Sequence, residues 1–549
     1  MFLEIFLYFL RVLNPLISVC IIYQCFTSMR KKLRPERPLV MLVNKVNRDI
    51  IPVMYWENSI GRSRNSDIIL TDRTISRDHA VLYRRDEGWF IGDTGSKSGV
   101  LVNNEKIDYP TALNIGDNIT LGVTTLVFQK TQDFIKQKES WFFNNDKVKL
   151  TLKPTVLLFL VSFFHFLLAF EFSIVDKKLD VFLPLILLTV VGWGFFLVTR
   201  LFFNRKNFEL ETLGFFLSGS GILLIGGASL KDTYVQILAM GIGMALFIFM
   251  IWFMREPEFV MRWRFRISIF AIGLLALNLL IGSTFNGSKN WIIIGPISIQ
   301  PSEFVKIALI LVGTSALLQL QTVKNLTEFI GFSALCIGAL FLMSDFGTAC
   351  IFFLTFLIIA FIRSGDLRTI IFILTAAFLG AFLILKFKPY IADRFSVWGH
   401  AWEYVSSSGY QQAHVMAYSA SGGLFGLGLG RGNLKYIFAA DSDLVFGMMC
   451  EELGLIFAIL VCICIAGLAF YAKAVSSTSR STLYSIAAYS AAGMLVFQSI
   501  LNVFGATDLL PLTGVTLPFI SLGGSSMISV WGLLAFIKAA DERTYSLRD

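Results

Sequence analysis

Three groups of residues in this 549-residue chain have types and spacings that do chemistry. Arg62, Ser76-Arg77 and Lys97-Ser98 lie in one polar stretch. An arginine clamps a phosphate through two parallel hydrogen bonds, and a serine hydroxyl adds a donor, so this set suits an anion site. Glu303 and Lys306, three residues apart in an apolar run, share a helix face. Charge at membrane depth is costly and points to function or to a structural ion pair, for which Asp345 is the expected partner of Lys306. Asp441 and Asp443 close a long segment, 388–443, that separates two apolar runs. A carboxylate takes the proton of a hydroxyl within hydrogen-bond reach. A neighbouring carboxylate or apolar surroundings raise its pKa toward neutrality.

The elements that position these groups follow from composition. The chain is 55% hydrophobic and only 15% charged, against about 25% charged in soluble domains, and its mean hydropathy is +0.68. It is an α-helical polytopic membrane protein with an inserted all-β domain. The apolar runs predict about thirteen spans: 2–28, 154–172, 181–199, 212–230, 235–254, 267–282, 302–319, 328–343, 347–362, 369–387, 444–471, 483–505 and 514–538. Arg11 interrupts the first span and is expected to snorkel to the interface. The cluster Arg30, Lys31, Lys32, Arg34 and Arg37 after that span, and the Lys and Arg of alternate later loops, orient the chain by the positive-inside rule. That orientation places 38–130 in the cytoplasm and 388–443 outside. The net charge of +9 needs no nucleic acid. The seven cysteines fall in or beside apolar runs without metal-ligand spacing, as small packing residues do. The N-terminal apolar stretch lacks the basic start and cleavage site of a signal peptide.

Residues 38–130 are polar, with short strand-like patches at Val40–Val43, Ile68–Leu70 and Ala80–Tyr83 and turn signals such as Gly95-Ser96 and Asn103-Asn104, the pattern of a small sandwich. Within it stand Gly61-Arg62, Ser76-Arg77-Asp78-His79, Ser96-Lys-Ser-Gly99 and Val102-Asn103. In this order they resemble forkhead-associated (FHA) domains, whose pattern is Gly-Arg, Ser-x-x-His, Ser-x-Asn-Gly and Val-Asn. The resemblance implies a phosphothreonine-binding module. Arg62 and Ser76 would hold the phosphate, with Arg77 and Lys97 nearby, and His79 would stabilise the loop. Ser98 stands where the family has Asn, which grips the bound peptide.

Four segments of the membrane region carry a second resemblance. They are Asn290-Trp291 with Gln300-Pro-Ser-Glu303 and Lys306; Ser344-Asp-Phe-Gly-Thr348; Gly409-Tyr-Gln411 leading to Ser421-Gly-Gly423; and Leu510-Pro-Leu-Thr-Gly514 with Leu517 through Ser525-Ser526. Their order is similar to that of the SEDS family (shape, elongation, division and sporulation), the RodA/FtsW/SpoVE-type proteins. The resemblance implies domains at 1–29 (first helix), 38–130 (FHA), 153–208 (two additional helices) and 209–540 (a core of about ten spans). It implies a peptidoglycan glycosyltransferase that polymerises lipid II beside a class B penicillin-binding protein. A sugar hydroxyl would attack an anomeric carbon bearing a lipid diphosphate. Asp443 would be the catalytic carboxylate, with Asp441 as competitor, just ahead of Glu451-Glu-Leu-Gly454. The leaving diphosphate needs positive charge, from a divalent cation (Mg or Mn) or from Lys289, Lys386, Lys388, Arg394, Arg431 and Lys435. Trp291, Gln300, Glu303, Lys306, Asp345, Ser421, Gly422, Gly423 and Ser525 would support the site. His165 lies in an additional helix and reads as packing.

Two other classes remain open on the sequence. A flippase for lipid-linked precursors also has many spans and buried charges. A non-catalytic scaffold would use only the phosphopeptide module. A carboxylate closing a long external segment favours chemistry over both.

Overall fold

The structure is a computed structural model. It describes residues 2–31, 38–130 except 54, 64–65 and 86–87, 152–202 except 177–178, 207–364 except 286–287, 296 and 319–322, residues 371 and 374–375, and 397–541 except 478 and 480. The basic cluster after the first span, the expected span at 369–387, and Lys386, Lys388 and Arg394 lie outside the described residues, apart from the backbone of Arg30 and Lys31 and residues 371 and 374–375. The chain divides into two compact units: residues 1–31, 150–476 and 486–549, and residues 32–149 with 477–485.

The smaller unit is the expected sandwich. Eleven strands, β1 (Val40–Asn44) to β11 (Thr124–Lys130), form a six-stranded sheet in the order β2-β1-β11-β10-β7-β8 and a five-stranded sheet in the order β4-β3-β5-β6-β9. Alternate residues of both sheets meet in one core, among them Leu42, Ile60, Leu82, Ile91, Val100, Ile119, Leu126 and Phe128. The Asn103-Asn104 signal is a two-residue hairpin turn with φ of +51° and +72°, a conformation that asparagine tolerates.

The larger unit is helical: α1 (Phe2–Lys31), α2 (Pro154–Asp176), α3 (Phe182–Phe202), α4 (Glu209–Gly226), α5 (Leu230–Phe253), α6 (Pro257–Ile281), α7 (Pro301–Leu318), α8 (Val323–Leu342), α9 (Phe346–Ser364), α10 (Tyr410–Gly422), α11 (Val445–Glu452), α12 (Leu455–Ser476), α13 (Thr482–Ala506) and α14 (Gly524–Ala540). Among the described residues, eight helices are long and apolar enough to cross a membrane. The apolar segments of α8, α9 and α14 are shorter, and α7 carries Glu303 and Lys306. A small antiparallel sheet, β12 (Ser283–Phe285), β13 (Ser288–Ile294) and β14 (Ile297–Ile299), joins α6 to α7.

Two expected spans differ in detail. The run 444–471 is two helices, because the chain turns at Gly454 (φ +91°), where a Cβ would lie 2.4 Å from the Leu424 carbonyl oxygen. The run 514–538 becomes helical only at Gly524. Pro511, Pro518 and the positive φ at Gly514 and Phe519 keep the chain ahead of it irregular.

Helix α4 is buried along its whole length. Helices α1, α2, α5 and α14 pack around it. Gly219 of α4 lets the His165 ring lie on its backbone, a Cβ there being 2.2 Å from the ring. Ser28 of α1 donates to Glu209 at 2.8 Å.

Candidate functional site

The tripeptide Asp441-Ser-Asp443 is tied down at every residue. The Asp441 carbonyl accepts from the Leu522 N–H at 2.8 Å. The Ser442 carbonyl accepts from the Ser521 hydroxyl at 2.5 Å, and that hydroxyl accepts from the Leu517 N–H at 2.7 Å. The Asp443 carbonyl accepts from the Asn502 side-chain amide at 2.9 Å, and the same nitrogen donates to the Val515 carbonyl at 2.7 Å. Gln236 of α5 reaches the same segment, donating to the Ser521 carbonyl at 2.9 Å. The irregular segment 511–523 is thus the floor on which the acidic tripeptide lies. Gly514 (φ +70°) brings its backbone beside the Asp443 carboxylate, with 3.5 Å from a Cβ built there to Oδ2.

Both carboxylates are half-buried. Burial pushes the Asp441 carboxyl above its ordinary 3.8, and the negative charge of Asp232 adds to the rise. Among the described residues no three His, Cys, Asp or Glu side chains converge as a metal cage. The donors present suit a magnesium-type ion, which is held by one or two carboxylates and by the phosphates of its substrate.

The Glu-Glu dipeptide ahead of α12 braces the approach to this tripeptide. Glu451 accepts from the N–H groups of Asn433 and Leu434 at 2.8 and 2.9 Å, at the start of a 3-10 turn, Leu434–Tyr436. There its charge meets otherwise unpaired donors. Glu452 accepts from the Gly430 N–H at 2.8 Å. Gly422 is required by close packing, since a Cβ would sit 2.2 Å from the Cys450 carbonyl oxygen. Gly423 caps α10 with φ +57°. Ser421 donates to the Tyr418 carbonyl and is exposed.

A second polar group lies between helices. Lys306 donates to Glu303 at 2.7 Å and to the Gln498 side chain at 3.0 Å. Ser529 donates to the other Glu303 oxygen at 2.5 Å. Gln498 donates in turn to the Thr516 carbonyl at 2.9 Å. The expected Lys306–Asp345 pair is replaced by this one, because the i, i+3 spacing puts Glu303 nearer. Asp345 instead accepts from the Thr348 N–H at the start of α9, and from the side chains of Asn290 and Gln300 at 3.3 Å each. The Gln300 N–H donates to Ser525 at 3.1 Å. Lys289 donates to the Leu279 carbonyl at 2.7 Å, capping α6. Trp291 pairs with Ser283 across β12–β13.

Asn502, Gln236 and Ser521 carry the tripeptide's support; the two amides were not singled out from the sequence, and Ser521 entered only within the Leu517–Ser526 motif. Lone amides in apolar helices were the available signal. Arg11 also departs from expectation. It does not snorkel, but pairs with buried Glu171 of α2 at 3.1 Å.

In the sandwich, the Arg62 and Ser76 loops are joined. The Arg62 N–H donates to the Ser76 carbonyl and the Ser63 N–H to the Arg77 carbonyl, both at 3.0 Å. A Cβ on Gly61 would lie 2.1 Å from the Arg77 oxygen, so only glycine permits this approach. Buried His79 accepts from the Ser76 N–H through Nδ1 at 3.0 Å, which leaves its Nε2 to donate to the Gly99 carbonyl at 3.1 Å. The Ser76 hydroxyl accepts from the Lys97 N–H at 3.1 Å, and Ser98 donates to the Thr74 carbonyl at 3.3 Å. The structure therefore gathers Arg62, Ser76, Lys97 and Ser98 on one set of loops. Arg62, Arg77, Lys97 and Ser98 are exposed.

Comparison with known proteins accords with both regions. The FHA domain profile matches residues 58–122. The probable peptidoglycan glycosyltransferase FtsW of Tolumonas auensis is 29% identical over 372 residues, 64% of this chain and 95% of that protein. Stage V sporulation protein E of Bacillus subtilis is 31% identical over 336 residues, 58% of this chain and 90% of that one. A solved chain from a peptidoglycan synthase complex that coordinates polymerization and crosslinking superposes with a TM-score of 0.52 at 25% identity. It covers 62% of this chain and 98% of its own length. The cell cycle protein profile of FtsW, RodA and SpoVE spans residues 213–546, more than half of the sequence, and so the chain belongs to the FtsW/RodA/SpoVE family.

Proposed function

We propose that this protein is a peptidoglycan glycosyltransferase that polymerises lipid II at the outer face of the cytoplasmic membrane, beside a class B penicillin-binding protein. The observation that carries the reading is the Asp441–Asp443 tripeptide, fixed at all three carbonyls and half-buried at the end of the long loop. Asp443 takes the proton of the attacking sugar hydroxyl as that oxygen bonds to the anomeric carbon and the lipid diphosphate departs. Preorganisation by Asn502, Ser521 and Leu522 means that little reorganisation is needed when charge develops. Arg431 and Lys435, on the same loop, are the cations that would supply positive charge to the departing diphosphate. A bound Mg or Mn ion would be held by Asp441 and would neutralise that diphosphate.

The sandwich is read as a cytoplasmic module for phosphothreonine peptides. Arg62 and Ser76 hold the phosphate, Arg77 and Lys97 add positive charge, and Ser98 meets the peptide backbone. Sidedness follows from the positive charge after α1.

The deciding experiment is lipid II polymerisation by the purified full chain, with and without a co-purified penicillin-binding partner. Glycan strands are expected, and the Asp443→Ala protein should make none while remaining folded. Polymerisation by that variant at the wild-type rate would remove Asp443 from the chemistry.

A further inference from the structure

The family profile begins at residue 213, so α1 and α2 precede it. They nevertheless reach the loop that leads to Asp443. The stretch Gly426-Leu-Gly-Leu-Gly430 has φ of +82°, +103° and +81° at its three glycines. A Cβ on Gly426 would lie 2.2 Å from the Glu452 carbonyl oxygen. On Gly428 it would lie 2.8 Å from both Arg11 Nη2 and Glu171 Oε1, and on Gly430 2.5 Å from the Phe172 ring. The ribbon is thus pressed between the end of α11 on one side and α1 with α2 on the other. Side chains larger than hydrogen have no room at these positions.

The contacts are polar as well as steric. Arg11 Nε meets Glu171 Oε1 at 3.1 Å, while Arg11 Nη1 donates to the Gly426 carbonyl at 3.4 Å. Asn14 donates to the other Glu171 oxygen at 3.4 Å. The Tyr8 ring stands edge-on to Phe425, 6.1 Å between centroids. Across the ribbon, the N–H groups of Leu427 and Gly428 donate to the carbonyls of Glu451 and Glu452 at 2.9 and 3.0 Å. Downstream, Lys435 donates to the Gly430 carbonyl at 2.6 Å and Arg431 is exposed.

We propose that Arg11 and Glu171 are positioning residues: they latch the Gly426–Gly430 ribbon from the appended helices and so fix the cationic groups that receive the substrate's diphosphate. The functional half of this inference rests on the reading given under Proposed function. A buried ion pair is a poor source of stability by itself. The planar arginine fork, however, reaches the Glu171 carboxylate through Nε and the Gly426 carbonyl through Nη1, a fixed two-nitrogen geometry that the single nitrogen of a lysine does not reproduce. That geometry suits a latch better than it suits simple helix adhesion.

The test uses the full chain in detergent. Arg11→Lys keeps the charge opposite Glu171 but loses the fork, and Arg11→Met/Glu171→Met removes both charges. Each is compared with wild type by hydrogen exchange over residues 426–436 and by KM and kcat for lipid II. A latch predicts faster exchange in that stretch for both variants with α12 unchanged. It also predicts KM raised about tenfold while kcat changes less than about threefold. Wild-type exchange over 426–436 in either folded variant overturns the latch, whatever the activity. Should the double variant fail to fold, Arg11→Lys decides by the same measurement. Should the wild type not polymerise lipid II, the proposed activity fails, and the exchange comparison still decides the latch.

Discussion

Asn502 donates from one nitrogen both to the Asp443 carbonyl, at 2.9 Å, and to the Val515 carbonyl, at 2.7 Å. A single amide in α13 therefore sets the spacing between the acidic tripeptide and the segment beneath it. Asn502→Leu takes this donor from the buried Val515 carbonyl and the part-buried Asp443 carbonyl, which costs roughly 1–3 kcal/mol each at most. The expected outcome is a lower melting temperature and a polymerisation kcat reduced by about tenfold or more, with KM for lipid II little changed. Unchanged kcat in a folded Asn502→Leu protein would show that this spacing is irrelevant to turnover.

Asp443 and Asp441 separate by substitution. Removing a general base costs on the order of 10²–10⁴ in rate, so Asp443→Asn should lose that much polymerisation. Asp441→Asn should lose less, and its loss should appear mainly in the divalent-cation dependence of the rate. Parallel titrations of the two variants with magnesium, following glycan product, check this. The reverse ranking would exchange the two roles.

The Asp441 carboxyl is held above its ordinary 3.8 by burial and by Asp232. A carboxyl whose folded pKa is raised contributes stability below its unfolded pKa and loses it as pH rises through the folded value. Asp441→Asn should therefore raise the melting temperature at neutral pH, and the gain should vanish below about pH 4. Asp232→Asn removes a like charge, so the Asp441 ionisation should move to lower pH. Melting curves of the three proteins across pH 3–8 measure both effects.

Within the sandwich, Arg62→Ala should reduce binding of phosphothreonine peptides at least about tenfold without unfolding the domain. Gly61→Ala should unfold it, because the added Cβ meets the Arg77 oxygen at 2.1 Å. Peptide titration of the full chain and its thermal unfolding distinguish the two. Equal binding by Arg62→Ala and wild type would move the phosphate elsewhere.

Much of this arrangement was legible in the sequence, for identifiable reasons. Asn103-Asn104 announces a positive-φ turn, and Ser76 with His79 announces a loop locked by a ring, because few residue types do either job. Apolar runs announced most helices. Their ends were less legible: Gly454 divides one run because it touches the Leu424 backbone, a contact distant enough in sequence to leave no local trace. Lys289 was read as a cation beside the substrate, and its bond to the Leu279 carbonyl at the end of α6 was not legible, since any lysine near a helix end has both options. The sheet β12–β14 went unseen, as residues 283–299 fell between two predicted spans and carried only the Asn290-Trp291 motif as a signal. Glu451 and Glu452 served as landmarks when they are braces, because backbone N–H partners cannot be read from side-chain spacing.

Helix α4 begins the family core and has no face left for lipid. Glu209, Glu211, Thr212, Ser218 and Ser220 are all buried, and Glu209 is met by Ser28 of α1. Helices α1 and α2, which precede the family region, are therefore built into the core and not merely attached to it. A deletion that removed α1 alone would take Arg11 and Asn14 from Glu171 and Ser28 from Glu209. One that removed both helices would also bare the α4 backbone at Phe216 and Gly219, where His165 now lies. Removing either helix would thus need compensating substitutions along α4, so the two behave as part of the enzyme's body and not as a detachable addition.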